Sequence, residues 1–214
     1  VTVHVELRLP SRIEAELRVP GGQIDIADLE GHIDLQVMGG PCHASNLGGS
    51  LDLRAESSEV TVDGFSGEQL RTRVAVGSLT VNDVQADTIA RHSVSSPISL
   101  TKAEGAADIT ANGTPVEIDG LEGPCTARCQ GGTLSYSGAP SADTELTVVG
   151  STLDVRLPSG HAADLTMTGD TLSLSGGLSF DGDRTEHEID GTVNGGGPPL
   201  ILQATGGQVQ CRAA

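Results

Sequence analysis

The sequence predicts an all-β fold, a single-domain parallel β-helix (solenoid) of about nine to ten coils of about 18–19 residues each. Three observations carry this reading. Between Ala106 and Gly123, two short alternating runs, Ala107/Ile109/Ala111 and Val116/Ile118, are separated by a glycine-bearing turn and closed by a Leu-x-Gly step. Steps of 18 or 19 residues from Ile118 land on Leu100, Val81, Val62, Ala44, Ile26 and Leu7 in one direction, and on Tyr136, Val155 and Leu174 in the other. The chain holds 29 glycines, and its only aromatics are Phe65, Phe180 and Tyr136, so small aliphatic side chains must fill a narrow, regular stack.

In chain order, residues 1–13 read as an opening coil, in which Val1, Val3, Val5, Leu7 and Leu9 alternate with polar residues up to Pro10. Residues 14–175 hold the regular coils. Their first strand contributes two inward columns, Leu17, Leu35, Leu53, Thr72, Arg91, Ile109, Ala127, Leu146, Leu165 and Val19, Val37, Ala55, Val74, Ser93, Ala111, Cys129, Val148, Met167. The second strand contributes Ile24, Cys42, Val60, Leu79, Ile98, Val116, Leu134, Leu153 and Leu172. Corners fall at Gly31, Gly49, Gly67, Ala86, Gly105, Gly123, Ser141 and Gly160. Residues 176–191 form an acidic loop or outlying hairpin, and residues 192–214 a closing coil that is expected to cap the end of the stack.

Strict stepping puts Arg91 and Ser93 in core columns. A charge there needs a buried partner, so the expectation is a β-bulge near Ala90 and Arg91 that returns Val94 to the interior and sends Arg91 outside. Arg71, Arg73, Arg91 and His92 would then make a basic patch on an acidic rod, the candidate contact surface for an anionic ligand or partner. On the outer face of the first strand, Glu16, Asp34, Asp52, Arg71, Asp108, Glu145 and Asp164 stand beside Arg18, Arg54, Arg73, His92 and Arg128, a pattern of exposed ion pairs.

The formal net charge of -17, with Lys102 the only lysine, argues against nucleic acid or an anionic membrane as partner, since both are held by clustered bases. No apolar run reaches the length of a membrane span, and Val1 in mid-strand suggests that an upstream segment was removed. Cys42, Cys125 and Cys129 occupy inward columns too far apart for the disulfide range of about 7 Å, so all four cysteines, Cys211 included, are expected as buried free thiols. The runs GGQIDI, GGSLDL and GGTLSY are similar to calcium β-rolls but lack the turn aspartate, which leaves calcium only as a chance occupant of the Asp181–Asp190 loop. The scattered histidines have no repeated Ser or Cys partner, and Asp34, Asp52 and Arg71 are the nearest thing to a catalytic cluster.

The GG-x-[IL]-x-[LIV] and Leu-x-Gly steps, with the closing run NGGGPPLILQATGGQVQCR from Asn194 to Arg212, resemble a bacterial adhesin β-strand-repeat family of unknown function. The spacing is also shared by bactofilin-like β-helices. Ser57-Ser58 and Ser95-Ser96 depart from the pattern by standing where turn glycines belong. The resemblance implies a right-handed β-helix and a location in the cell envelope or outside the cell, and it brings no established active site to carry over; no cofactor is expected. The expected function is a non-enzymatic structural or adhesive binding module for a protein or surface ligand. The alternatives are a self-assembling bactofilin-like scaffold and a polysaccharide-active β-helix enzyme.

Overall fold

The computed structural model describes residues 9–214, so the alternation expected over Val1–Leu9 lies, but for Leu9, outside the described residues. Among those residues the chain is all strand and turn, a parallel β-solenoid in one domain. Among the described residues no helix is long and apolar enough to cross a membrane.

The strands are β1 (Ala15–Val19), β2 (Ile24–Ala27), β3 (Glu30–Met38), β4 (Cys42–Val94), β5 (Ile98–Asn112), β6 (Val116–Glu122), β7 (Cys125–Gln130) and β8 (Thr133–Ser137). They continue as β9 (Thr144–Val149), β10 (Thr152–Leu157), β11 (Ala163–Thr168), β12 (Thr171–Ser175), β13 (Phe180–Arg184), β14 (Glu188–Val193), β15 (Pro199–Thr205) and β16 (Gln208–Ala213). β4 runs unbroken because its backbone stays in the ladder while the chain turns corners. About eight turns stack, in chain order as far as β10. The Ile118 column holds, with Ile26 beside Ala44, Val81 beside Leu100, Leu100 beside Ile118, and Tyr136 between Ile118 and Val155. Ile118 is fully buried, and each such aliphatic side chain contributes about 1.5–3 kcal/mol.

As far as Glu122 the turns are three-sided where two strands per coil were expected, whereas β7–β8, β9–β10, β11–β12 and β15–β16 form turns of two strands as expected. A third ladder links Glu30 to Gly48, Val84 to Ala103 and Ala103 to Leu121, and sends Leu29, Leu47, Phe65, Val84, Ala103 and Leu121 into the core. The Leu-x-Gly step is therefore a short strand plus a corner rather than a turn alone. At that corner the backbones of successive coils nearly touch: a Cβ on Gly49 would lie 2.4 Å from the Gly31 carbonyl oxygen, and one on Gly105 would lie 1.6 Å from that of Ala86. The corner between the first and second sides has one open position, where a Cβ on Gly113 or Gly131 would meet no closer atom than 3.9 Å, followed by a tight one, where a Cβ on Gly132 would lie 1.9 Å from the Thr114 carbonyl oxygen. At the open position Ser57 (φ 52) and Ser95 (φ 55) take the left-handed backbone that Gly113 and Gly131 take elsewhere. The serine that follows each is buried, with Ser58 Oγ donating to the Glu56 carbonyl and Ser96 Oγ to that of Val94. This is why the missing glycines are tolerated.

The end of the stack departs from the expectation. The closing coil, β15 and β16, does not cap the rod. β15 lies between β9 and β11, and β16 lies between β10 and β12. Leu174 is thus not the neighbour of Val155, because Cys211 stands between them. On the first side Leu165 aligns through Leu200 with Thr144 rather than with Leu146, a two-residue offset that keeps side-chain parity and so keeps Leu165 inside. The acidic segment forms the hairpin β13–β14, and β14 pairs antiparallel with β11, covering that edge.

All four cysteines are free and buried. Burial pushes the thiols of Cys42, Cys125 and Cys211 up to about 12, with Asp25, Asp108 and Asp154 respectively adding to the effect, and raises that of Cys129.

Two measurements check this account. A thiol reagent at pH 8 should leave the native protein nearly unlabelled and titrate four groups after denaturation. Gly105→Ala should lower Tm by about 6–12 °C, since a left-handed residue with a backbone clash costs about 3 kcal/mol. Gly113→Ala meets nothing within 4 Å and should lose only about 1 kcal/mol; equal losses would mean that the close corner stacking is not what holds the coils.

Candidate functional site

The expected basic patch does not form. The extra residue of that coil is absorbed earlier, between Gln85 and Thr88, where the register with the next coil shifts. From Thr88 onward the strand runs in strict register, with Arg91 opposite Ile109 and Ser93 opposite Ala111. Arg91 is consequently buried, at 3% exposure, and Val94 faces solvent at 43%. The expected bulge at Ala90–Arg91, with Val94 inside, is thus corrected: once the bulge falls before the strand, period-2 parity leaves Arg91 no way out. Arg71, Arg73 and His92 remain on the outside of the first side, and Arg71 approaches Asp52 at 3.9 Å.

Inside, Arg91 Nε, Nη1 and Nη2 have no hydrogen-bond partner, and neither has Thr72 Oγ1 in the preceding coil. Desolvation pulls the guanidinium down to about 9. Ser93 fares better, since its hydroxyl donates to the Ser96 carbonyl.

The first side carries an ion-pair ladder. Arg54 Nη1 reaches both oxygens of Asp34 at 3.2 Å, and its Nη2 reaches Asp52 Oδ2 at 2.9 Å. The cluster Asp34, Asp52 and Arg71 is therefore brought together, but Arg54 occupies its carboxylates. Arg128 meets Glu145 at 3.5 Å on the same side. Such half-exposed pairs contribute about 0–1 kcal/mol each. Among the described residues no group of three or more His, Cys, Asp or Glu is placed to hold a metal ion.

The concave surface lies on the third side, which the two-strand reading missed. Each coil there repeats one tetrad: a corner residue, an inward apolar residue, an outward residue and a glycine or alanine. The corner positions Asp28, Asn46, Gly64, Asp83, Lys102 and Gly120 all have left-handed backbone, with φ between 50 and 69, a conformation that Asp, Asn and Gly tolerate best. The outward positions are Glu30, Gly48, Ser66, Gln85, Glu104 and Glu122. Gly48, Gly64 and Ser66 remove side-chain bulk from the middle of this strip, which opens a shallow groove of about 1150 Å³. Polar side chains line it in linked pairs, Asn46 donating to Asp28 at 3.2 Å and Gln85 to Glu104 at 2.8 Å, while Glu30 accepts at 3.0 Å from Arg12, which lies outside the lining. Its acids outnumber its bases, Lys102 being the one base on the ladder itself. The signal in the sequence was the Leu-x-Gly step, read as punctuation when it was also a wall of a groove.

No protein family, curated protein or solved structure matches the chain.

Removing the buried charge should stabilise the protein. Arg91→Met should gain about 1–4 kcal/mol at pH 7, read as a Tm higher by about 2–4 °C per kcal/mol. Because the folded-state value lies below that of the unfolded chain, the native protein's deficit is complete below pH 9 and shrinks as pH rises above it. The gap in Tm between the variant and the native chain should therefore narrow between pH 8 and pH 11. A lower Tm for Arg91→Met at pH 7 would show that the guanidinium has a stabilising partner.

Proposed function

We propose that this protein is a non-enzymatic binding module, structural or adhesive in role, that takes an extended basic peptide segment of a partner protein along the groove of its third side. The observation that carries the reading is the groove itself: an open strip following a rigid stack, with acids and amides set at a coil spacing of about 4.8 Å. An open strip fits a linear partner better than a compact ligand, which a deep pocket would bury. Excess carboxylate favours a basic partner through electrostatic complementarity. Phe65 lies beneath the groove floor at 2% exposure, Tyr136 is buried, and Arg184 lies over Phe180 at 4.5 Å, so no aromatic among the described residues offers an open face in the groove, which supports a peptide over a sugar ring as the occupant. The resemblance of the closing run to bacterial adhesin repeats adds a place in the cell envelope or outside the cell to the proposal.

Two other readings rank lower. A self-assembling scaffold has in its favour that β12 pairs only with β16 among the described strands, leaving an edge for another coil. The antiparallel β14 covers the matching edge of β11, however, so only half of that end is open. A polysaccharide-active enzyme would draw on Asp34 and Asp52, and their engagement by Arg54 supports binding over catalysis.

An oligolysine peptide serves as the probe. Calorimetry should find binding that weakens with salt and falls at least about tenfold in the triple variant Glu30→Gln, Asp83→Asn, Glu104→Gln. Removing the same charge elsewhere, by Asp108→Asn, Glu145→Gln and Asp164→Asn, should change affinity less than about twofold. Equal losses in the two variants would reduce the groove to part of a uniformly acidic surface and end this reading.

A further inference from the structure

The stacking order breaks once, and the break leaves a slot. The turn made by β9 and β10 and the turn made by β11 and β12 follow one another in sequence, yet the closing coil separates them. Their connection, Pro158 to Ala162, therefore climbs two coil spacings, about 10 Å, instead of one. Leu146, Val148, Leu153 and Val155 line one wall of the slot, and Leu165, Met167, Leu172 and Leu174 line the other.

The filler matches both walls. Leu200, Leu202, Val209 and Cys211 are fully buried. The edges are closed by Gly150 N–H donating to Thr205 O at 2.8 Å, Gln208 N–H to Ser151 O at 3.1 Å and Ala214 N–H to Leu157 O at 2.7 Å. Arg212 adds a 2.9 Å bond to Asp154. None of these contacts requires filler and wall to belong to the same chain. Only the tether does. It runs through Asn194, Gly195, Gly196, Gly197 and Pro198, and is pinned by Asn194 Nδ2 to the His161 carbonyl at 2.7 Å and by Gly197 N–H to Asp164 Oδ1 at 3.1 Å.

We propose that the slot accepts the closing coil of a second copy of this chain, giving an exchanged dimer in which residues 199–213 of each chain fill the slot of the other. Exchange keeps every register pair of β15 and β16 and alters only the tether. A short flexible tether holds its own filler at an effective concentration of about 1 mM. The exchanged dimer therefore competes when chains fold together near that concentration, and the monomer prevails when they fold dilute.

Ser173 and Gln210 report the exchange. Both are exposed, and they are direct partners across β12 and β16. Their Cα atoms lie about 4.8 Å apart, inside the range for a disulfide. S173C/Q210C in the full chain would join one chain to itself in the monomer and two chains to each other in the exchanged dimer. E117C/S135C, on the ordinary neighbours β6 and β8, joins a chain only to itself in either state. Both variants are refolded from denaturant under reductant at about 10 μM and about 1 mM, then oxidised with glutathione disulfide once native. At the higher concentration S173C/Q210C should give a gel-filtration dimer that stays covalent in a non-reducing denaturing gel, whereas any E117C/S135C dimer falls apart into monomers. At the lower concentration both should be internally bridged monomers. S173C/Q210C monomers at both concentrations, or dimers not joined covalently, would overturn the proposal, as would E117C/S135C dimers joined across chains.

Discussion

The coils of this protein depend on the near-contact of backbones at their corners, most continuously along the column from Gly31 to Gly123. Parallel ladders join the sides, but the ladders stay in register around the stack only if successive corners sit on top of one another with no side chain between them. The column Gly31, Gly49, Gly67, Ala86, Gly105, Gly123 supplies that geometry. Ala86 is the one member with a Cβ, and the irregular step between Gln85 and Thr88 falls on it. The aliphatic columns then add their burial to a frame that the corners have already aligned. With only three aromatics and a core of mostly small side chains, such alignment does work that large side chains do in other folds.

That irregular step decides the fate of Arg91. A bulge placed one strand later would have exposed it. Placed at the corner, the bulge preserves the strand, and the pleat then dictates that every second residue faces inward whatever its chemistry. The backbone wins because one displaced strand would forfeit a row of ladder hydrogen bonds and several buried side chains. Val76 marks a related compromise. It is a β-branched residue held at φ 60 and 58% exposed, at a corner where Gly113 and Gly131 serve in later coils, a strain of about 1–3 kcal/mol.

Much of this architecture was legible in the residues, for a physical reason. The Ile118 column follows from a fixed step and a period of two, both properties of the strand itself. The buried thiols follow from the same columns and the size of a coil. The third side was not legible in that way, because it offers one inward residue per coil, such as Leu47 or Phe65, and a single residue has no alternation. The groove went unseen with it, since its walls are corner residues selected for backbone angle rather than for a chemical motif. The place of the closing coil was hidden for a different cause. Leu200, Leu202, Val209 and Cys211 would fit beside any turn, and what sends them back into the stack is the connection Pro158–Ala162 together with the hairpin β13–β14, neither of which has an apolar pattern to announce it.

The out-of-order coil also bears on how the molecule is made. A solenoid synthesised from its N-terminus can, in general, wind as it emerges, each new turn finding a finished edge waiting for it. Here that vectorial process runs as far as β10 and then stalls. β11 and β12 reach solvent before the only strands that can seat them against the rod, and at about 5–20 residues per second they wait some seconds for β15 and β16 to follow. During that interval the nascent chain presents a wound stem, two bare edges and a loose terminal turn. Seating the closing coil is thus an insertion between parts already present, a closure within a stack whose earlier described turns are added by growth.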